Sequence, residues 1–197
     1  MPIFPRPKFS FEYDVTTEIN RLRDHRLARG IPEAEENKLL IATWNIANLG
    51  AQERRDQDRS IIAEIISWFD LVAIQECREN YSDLLDVHHK LPIQYRVIMS
   101  DAAGNNERMA FLYNSQRLTL LEEMGEIAFP PSSYKTIKLP GIKRKFEGFD
   151  RTPYLVAFEA GKTSFMFVNV HLFFGDDKPD SVARRSLETF AVAKWAD

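Results

Sequence analysis

The sequence predicts an α/β fold of the mixed, α+β kind: a sandwich of sheets and helices, and not a purely doubly wound parallel sheet. Three observations predict it. From residue 39 to 99, short apolar runs alternate with segments of helical periodicity. From 109 to 171, strand-like runs follow one another with no helix between them. The composition, 44% hydrophobic and 28% charged over 197 residues, suits one globular domain with a core.

Residues 1–13 are rich in proline and aromatics and read as an extended arm. Asp14 reads as the N-cap of a helix carrying Val15, Ile19, Leu22 and Leu27, which Gly30 and Pro32 stop. Residues 31–38 are polar and read as a linker, so 1–38 form an N-terminal arm and helix ahead of a domain at 39–197. The first strand is the apolar run Leu39 to Trp44, read as buried. A helix follows over Asp56–Phe69, its apolar face built from Ile61, Ile62, Ile65, Ile66 and Phe69. Leu71–Gln75 is the next strand, Tyr81–Lys90 a helix and Tyr95–Met99 a strand. Met109–Tyr113 and Leu118–Phe129 read as strands joined by an Asn114-Ser115 turn. Residues 130–150 form a long loop rich in Pro, Gly and Lys. Tyr154–Glu159 and Ser164–His171 read as a hairpin around Ala160-Gly161-Lys162, and Asp180 or Ser181 caps a last helix reaching Ala196.

A net charge of −3 gives no global pull toward nucleic acid or membrane, so any polyanion-binding surface must be local. No stretch approaches the length of a membrane span, and no apolar signal core follows Met1, which predicts a cytoplasmic protein with no membrane partner. The single cysteine, Cys77, precludes an intrachain disulfide and reads as a small buried hydrophobe.

Several polar residues stand where chemistry could use them. Glu76 follows the apolar run Leu71-Val72-Ala73-Ile74, and a carboxylate held at a sheet edge suits a hard, oxygen-liking cation; its ordinary reading is a solvated strand-end charge. Asn45 ends the preceding strand, where an amide can serve a phosphate oxygen or simply form a turn. Arg151, in Asp150-Arg151-Thr152-Pro153, offers a guanidinium fork that matches phosphate. The loop before it carries Lys135, Lys138, Lys143, Arg144 and Lys145, a dense basic patch in an acidic chain, which reads equally as a phosphate-backbone surface and as a solvated loop. His171 closes the strand Phe165–Val170, and His25, His88 and His89 lie on predicted helices without such a setting.

Three strings carry a family resemblance: Thr43-Trp44-Asn45-Ile46-Ala47-Asn48-Leu49-Gly50, Ala73-Ile74-Gln75-Glu76 and Val168-Asn169-Val170-His171. In this order they resemble the endonuclease/exonuclease/phosphatase superfamily, the DNase I-like metal-dependent phosphoesterases, over about residues 39–197. The resemblance implies a four-layer sandwich of two mixed β-sheets flanked by helices. It also implies hydrolysis of phosphodiesters with Mg²⁺ (or Mn²⁺) held by Glu76. By the same resemblance Asn45 belongs to the active site, and His171 acts at the scissile phosphate or leaving group. The segment Asn105-Asn106-Glu107-Arg108-Met109 resembles the family's entry to a substrate-side strand, which places Asn105 near substrate and Glu107 behind the histidine. Arg151 matches an arginine that approaches the phosphate, and Lys143, Arg144 and Lys145 would add backbone contacts to a nucleic acid. The family's later Asp-x-Asn string and Asp-His pair have no match after His171. The expectation is therefore a domain incomplete at its C-terminus, weakly active or inactive alone, with an uncovered sheet open to self-association. The alternatives are a phosphatase acting on small or lipid phosphoesters, and a binding module without catalysis.

Overall fold

A computed structural model describes residues 11–78 and 80–197; most of the proline-rich arm expected at 1–13 lies outside the described residues. Among the described residues, seven strands form two sheets. The first contains β1 (Ile41–Leu49), β2 (Leu71–Arg78), β3 (Tyr95–Met99) and β4 (Glu107–Asn114), in the order β1-β2-β4-β3. It is mixed: β1 and β2 run parallel, and β4 is antiparallel to both its neighbours. The second, β5 (Thr119–Glu126), β6 (Tyr154–Ala160) and β7 (Thr163–Asn169), is antiparallel throughout. The strands expected on either side of Asn114-Ser115 are both present, but the turn carries the chain from one sheet to the other.

Parallel pairing of β1 and β2 requires a crossover, which α2 (Asp56–Ile66) supplies. Its Ile62, Ala63 and Ile66 pack with Leu84 and Val87 of α3 (Ser82–Lys90) on Val72, Ile74, Ala110 and Leu112 of the first sheet. Between the sheets, Leu71, Ala73, Met109, Phe111 and Tyr113 meet Tyr154, Val156 and Phe158. The period of two holds over Leu71–Ile74 of β2 and Met109–Tyr113 of β4, which send alternate residues to the two cores. β1 is less buried than its apolar run suggested. Ala42 and Trp44 are only partly covered and Ile41 is exposed.

α1 (Val15–Ala28) is capped by Asp14, whose carboxylate accepts from the Thr17 amide at 2.8 Å. None of its residues is buried, and it lies against α2 through polar contacts such as Arg23 with Glu64 at 2.8 Å. α4 (Pro179–Ala196) starts earlier than expected, with Lys178 at the cap and Pro179 in the first turn, where a proline's missing N–H costs nothing. Leu187 and Ala191 of α4 pack on Ile137 and Phe146, so the 130–150 loop is a small aromatic core and not a free tether. No helix among the described residues is long and apolar enough to cross a membrane.

Candidate active site

The end of β2 breaks the alternation. Its pairing with β4 slips between Ile74 and Cys77, and its pairing with β1 slips between Asn45 and Leu49. Ile74 and Cys77 both sit in the helix-side core, where a regular strand would have placed residues 74 and 76. The extra residue lets Glu76 escape. It adopts a left-handed backbone, φ 63°, and its carboxylate leaves the helix side. For a non-glycine residue this conformation costs roughly 1–3 kcal/mol, which the surrounding contacts must offset. Asn45 Nδ2 donates to Glu76 Oε1 at 2.9 Å, and the Asn48 amide donates to Oε2 at 3.0 Å. Asn48 is itself left-handed, φ 50°, as befits a turn-shaping asparagine.

The inter-sheet face of β4 carries Glu107, two residues before Met109, and that of β7 carries Phe165, Phe167 and Asn169. His171 continues that series two residues past the end of β7. The period of two thus delivers these side chains to one open end of the layer between the sheets. His171 Nε2 lies 3.6 Å from Glu76 Oε1, and its Nδ1 lies 3.5 Å from Glu107 Oε2. Both Nδ1 and that oxygen are buried with no hydrogen-bond partner, and a closure of a few tenths of an ångström would join them.

Arg151 is placed differently from the phosphate-binding fork expected. It is 5% exposed. Its Nε donates to the His171 carbonyl at 2.9 Å and its Nη2 to the Leu172 carbonyl at 3.1 Å. Its Nη1 lies 3.2 Å from Asp150 and 3.5 Å from Glu107. The guanidinium is spent on the protein. Arg144, too, pairs with Asp180 and Glu147, while Lys143 and Lys145 remain exposed. Asn105 is exposed with φ 63°, and its carbonyl accepts from Arg78 at 2.8 Å.

Two contributors escaped the sequence reading. Arg78, two residues past Glu76, reaches both the Asn105 carbonyl and, at 3.8 Å, Glu107; its place in Glu76-Cys77-Arg78 was the available signal. Asn169 joins the sheets: its Nδ2 donates to the Ile74 and Ala110 carbonyls, and its Oδ1 accepts from Gln75 at 2.6 Å. It fills the gap that the β2 irregularity opens, a need invisible before the slip is seen. Cys77 is a buried core residue; burial and the nearby Glu107 charge push its thiol up to about 12.

No family model matches the sequence, and no curated protein does either. Solved structures do. One is an endonuclease/exonuclease/phosphatase family protein from Bacteroides thetaiotaomicron, 22% identical, TM-score 0.54, with 80% of this chain covering 57% of that one. The chain has the DNase I-like fold. Zebrafish (D. rerio) TDP2, solved with a single-strand DNA product, is 16% identical with TM-score 0.53, over 82% of this chain and 56% of that. A functionally unknown conserved protein from Enterococcus faecalis V583 is 19% identical with TM-score 0.51, over 80% and 60%. The chain spans less than two thirds of the length of each of these three structures.

The donor set at the open end of this DNase I-like sandwich fits a water-rich divalent ion. Each Glu76 oxygen accepts one N–H and keeps a second acceptor position, and Asn45 donates through its nitrogen, leaving Oδ1 as an oxygen ligand. Mg²⁺ is held by one or two carboxylates and keeps several waters. Among the described residues no three His, Cys, Asp or Glu side chains surround one point, so a closed tetrahedral zinc site does not fit.

Proposed function

We propose that this chain carries a phosphodiester-hydrolysing site, with a nucleic acid as the substrate. The carrying observation is the run of contacts Asn45–Glu76–His171–Glu107 at one end of the inter-sheet layer. Glu76, with the Asn45 carbonyl oxygen, would hold Mg²⁺ or Mn²⁺; such an ion supplies positive charge that stabilises a phosphoryl group. Asn45 and the Asn48 amide fix the Glu76 carboxylate. His171 presents an imidazole edge beside Glu76 and can donate a proton to a leaving oxygen. Glu107 backs its Nδ1, selecting the tautomer with that proton in place. Arg151 is a positioning residue, since it ties the His171 carbonyl to Glu107. Asn105 and the exposed Lys143 and Lys145 would meet phosphates beyond the scissile one, without reading sequence. In this reading Glu76 is the one carboxylate offered to the ion, and slow turnover is the expected outcome.

The test is nicking of supercoiled plasmid with Mg²⁺, with EDTA and with Glu76→Ala, beside hydrolysis of a soluble phosphomonoester. Slow nicking lost under both EDTA and Glu76→Ala, with little phosphomonoester hydrolysis, is expected. Nicking that survives both controls, or no turnover of either substrate by the folded chain, overturns the proposal.

A further inference from the structure

Glu188, on α4, is 0% exposed, and a carboxylate is rarely buried so completely unless it is paired. Its partners are informative. Oε1 accepts from the Asp150 amide at 3.2 Å and from Arg184 Nε at 3.1 Å, and Oε2 accepts from the Phe173 amide at 2.9 Å. Asp150 immediately precedes Arg151, and Phe173 is two residues beyond His171. One carboxylate therefore grips both backbone segments that carry the candidate site. Arg184 strengthens the grip: Nη2 lies 3.2 Å from Asp150 Oδ1, and the guanidinium stacks 4.2 Å from the Phe173 ring. The Asp150 carbonyl in turn accepts from the Gly104 amide at 3.0 Å. A Cβ at residue 104 would come within 2.3 Å of that oxygen, so only glycine permits the approach. Through Asp150 the grip reaches the Asn105–Glu107 segment as well.

We infer that Glu188 is a positioning residue that sets Arg151, His171 and Glu107 relative to one another by holding the Asp150 and Phe173 amides from α4. Its effect on turnover rests on the function proposed above; the geometric claim does not. Hydrogen exchange of the wild-type chain tests the geometry first. The Asp150 and Phe173 amides, although outside regular structure, are expected to exchange slowly, and Glu188→Gln to quicken both by roughly 10- to 100-fold, since each loses a charge-assisted bond. The Arg151 Nε–H and His171 ring resonances shift in the same variant under conditions where it is folded. With Mg²⁺ and plasmid, kcat falls by about tenfold at little-changed KM, and Glu188→Asp recovers part of it. Fast wild-type exchange at both amides overturns the inference, as do unmoved Arg151 and His171 resonances in a folded Glu188→Gln. Should that variant fail to fold, the wild-type exchange and Glu188→Asp decide. A wild-type chain with no metal-dependent turnover overturns the proposed function and leaves the exchange result standing.

Discussion

Glu76 and Cys77 are adjacent and have opposite fates, and one backbone torsion separates them. The left-handed turn at Glu76 directs its carboxylate to the open end between the sheets, and the slipped register then seats Cys77 in the helix-side core. Loss of solvation by burial is the main reason the Cys77 thiol is pushed up to about 12, with the Glu107 charge adding to it. At pH 8 the native thiol is therefore expected to resist iodoacetamide, which needs the thiolate, and to react promptly once the chain is unfolded in urea. Rapid labelling of the folded protein would show that the slip is not where the structure places it. Arg151 teaches a related lesson. Residue type and neighbours suggested a phosphate ligand, yet four protein oxygens already surround its guanidinium.

At the scale of elements, the irregularity in β2 creates a vacancy that β7 must fill. Asn169, 1% exposed, donates to the carbonyls of Ile74 and Ala110, one from each of the mismatched strands, and accepts from Gln75. Gln75 also donates to Thr43 on β1. A single amide pair thus links strands from both sheets directly beneath Glu76. Asn169→Ala would leave these buried groups without partners and is expected to cost roughly 2–4 kcal/mol of unfolding free energy. Urea denaturation followed by tryptophan fluorescence measures this, and a loss below about 0.5 kcal/mol would mean that the clamp contributes little.

Across the whole molecule, the N-terminal segment is held to the sandwich by polar groups, which makes its docking sensitive to pH. Tyr13 Oη donates to Asp58 Oδ1 at 2.6 Å, and Arg55 stacks over the Tyr13 ring. Burial alone would raise the Asp58 carboxyl, but hydrogen bonds from Arg55 and Tyr13 outweigh it and hold the group down at about 2. Burial and the Asp58 bond push Tyr13 up to about 12. A depressed carboxyl contributes stability above its ordinary value of 3.8, lost as pH falls toward 2; a raised phenol contributes below 10, lost as pH rises through 12. Tyr13→Phe is therefore expected to lower Tm between pH 4 and 10, with the difference shrinking outside that window. A Tm difference independent of pH from 2 to 7 would contradict the pairing.

Much of this was legible in the chain. Asp14 as a cap, the β3 run Tyr95–Met99 and the Gly161 hairpin all follow from local chemistry and period, because each is decided by neighbours in sequence; α2 was legible as a helix, but its buried face is Ile62, Ala63 and Ile66, without the expected Ile61 and Ile65. Asn45, Glu76, Glu107 and His171 were named as candidates from their strings, and the fold places the four side chains next to one another. What tertiary structure alone decided is how those groups are aimed and held. The slip that frees Glu76, the Asn169 clamp, the enclosure of Arg151 and the reach of Glu188 from α4 each depend on pairing between residues 15 to 95 positions apart. A local pattern states which face a side chain takes; only the register between distant strands states what it meets there.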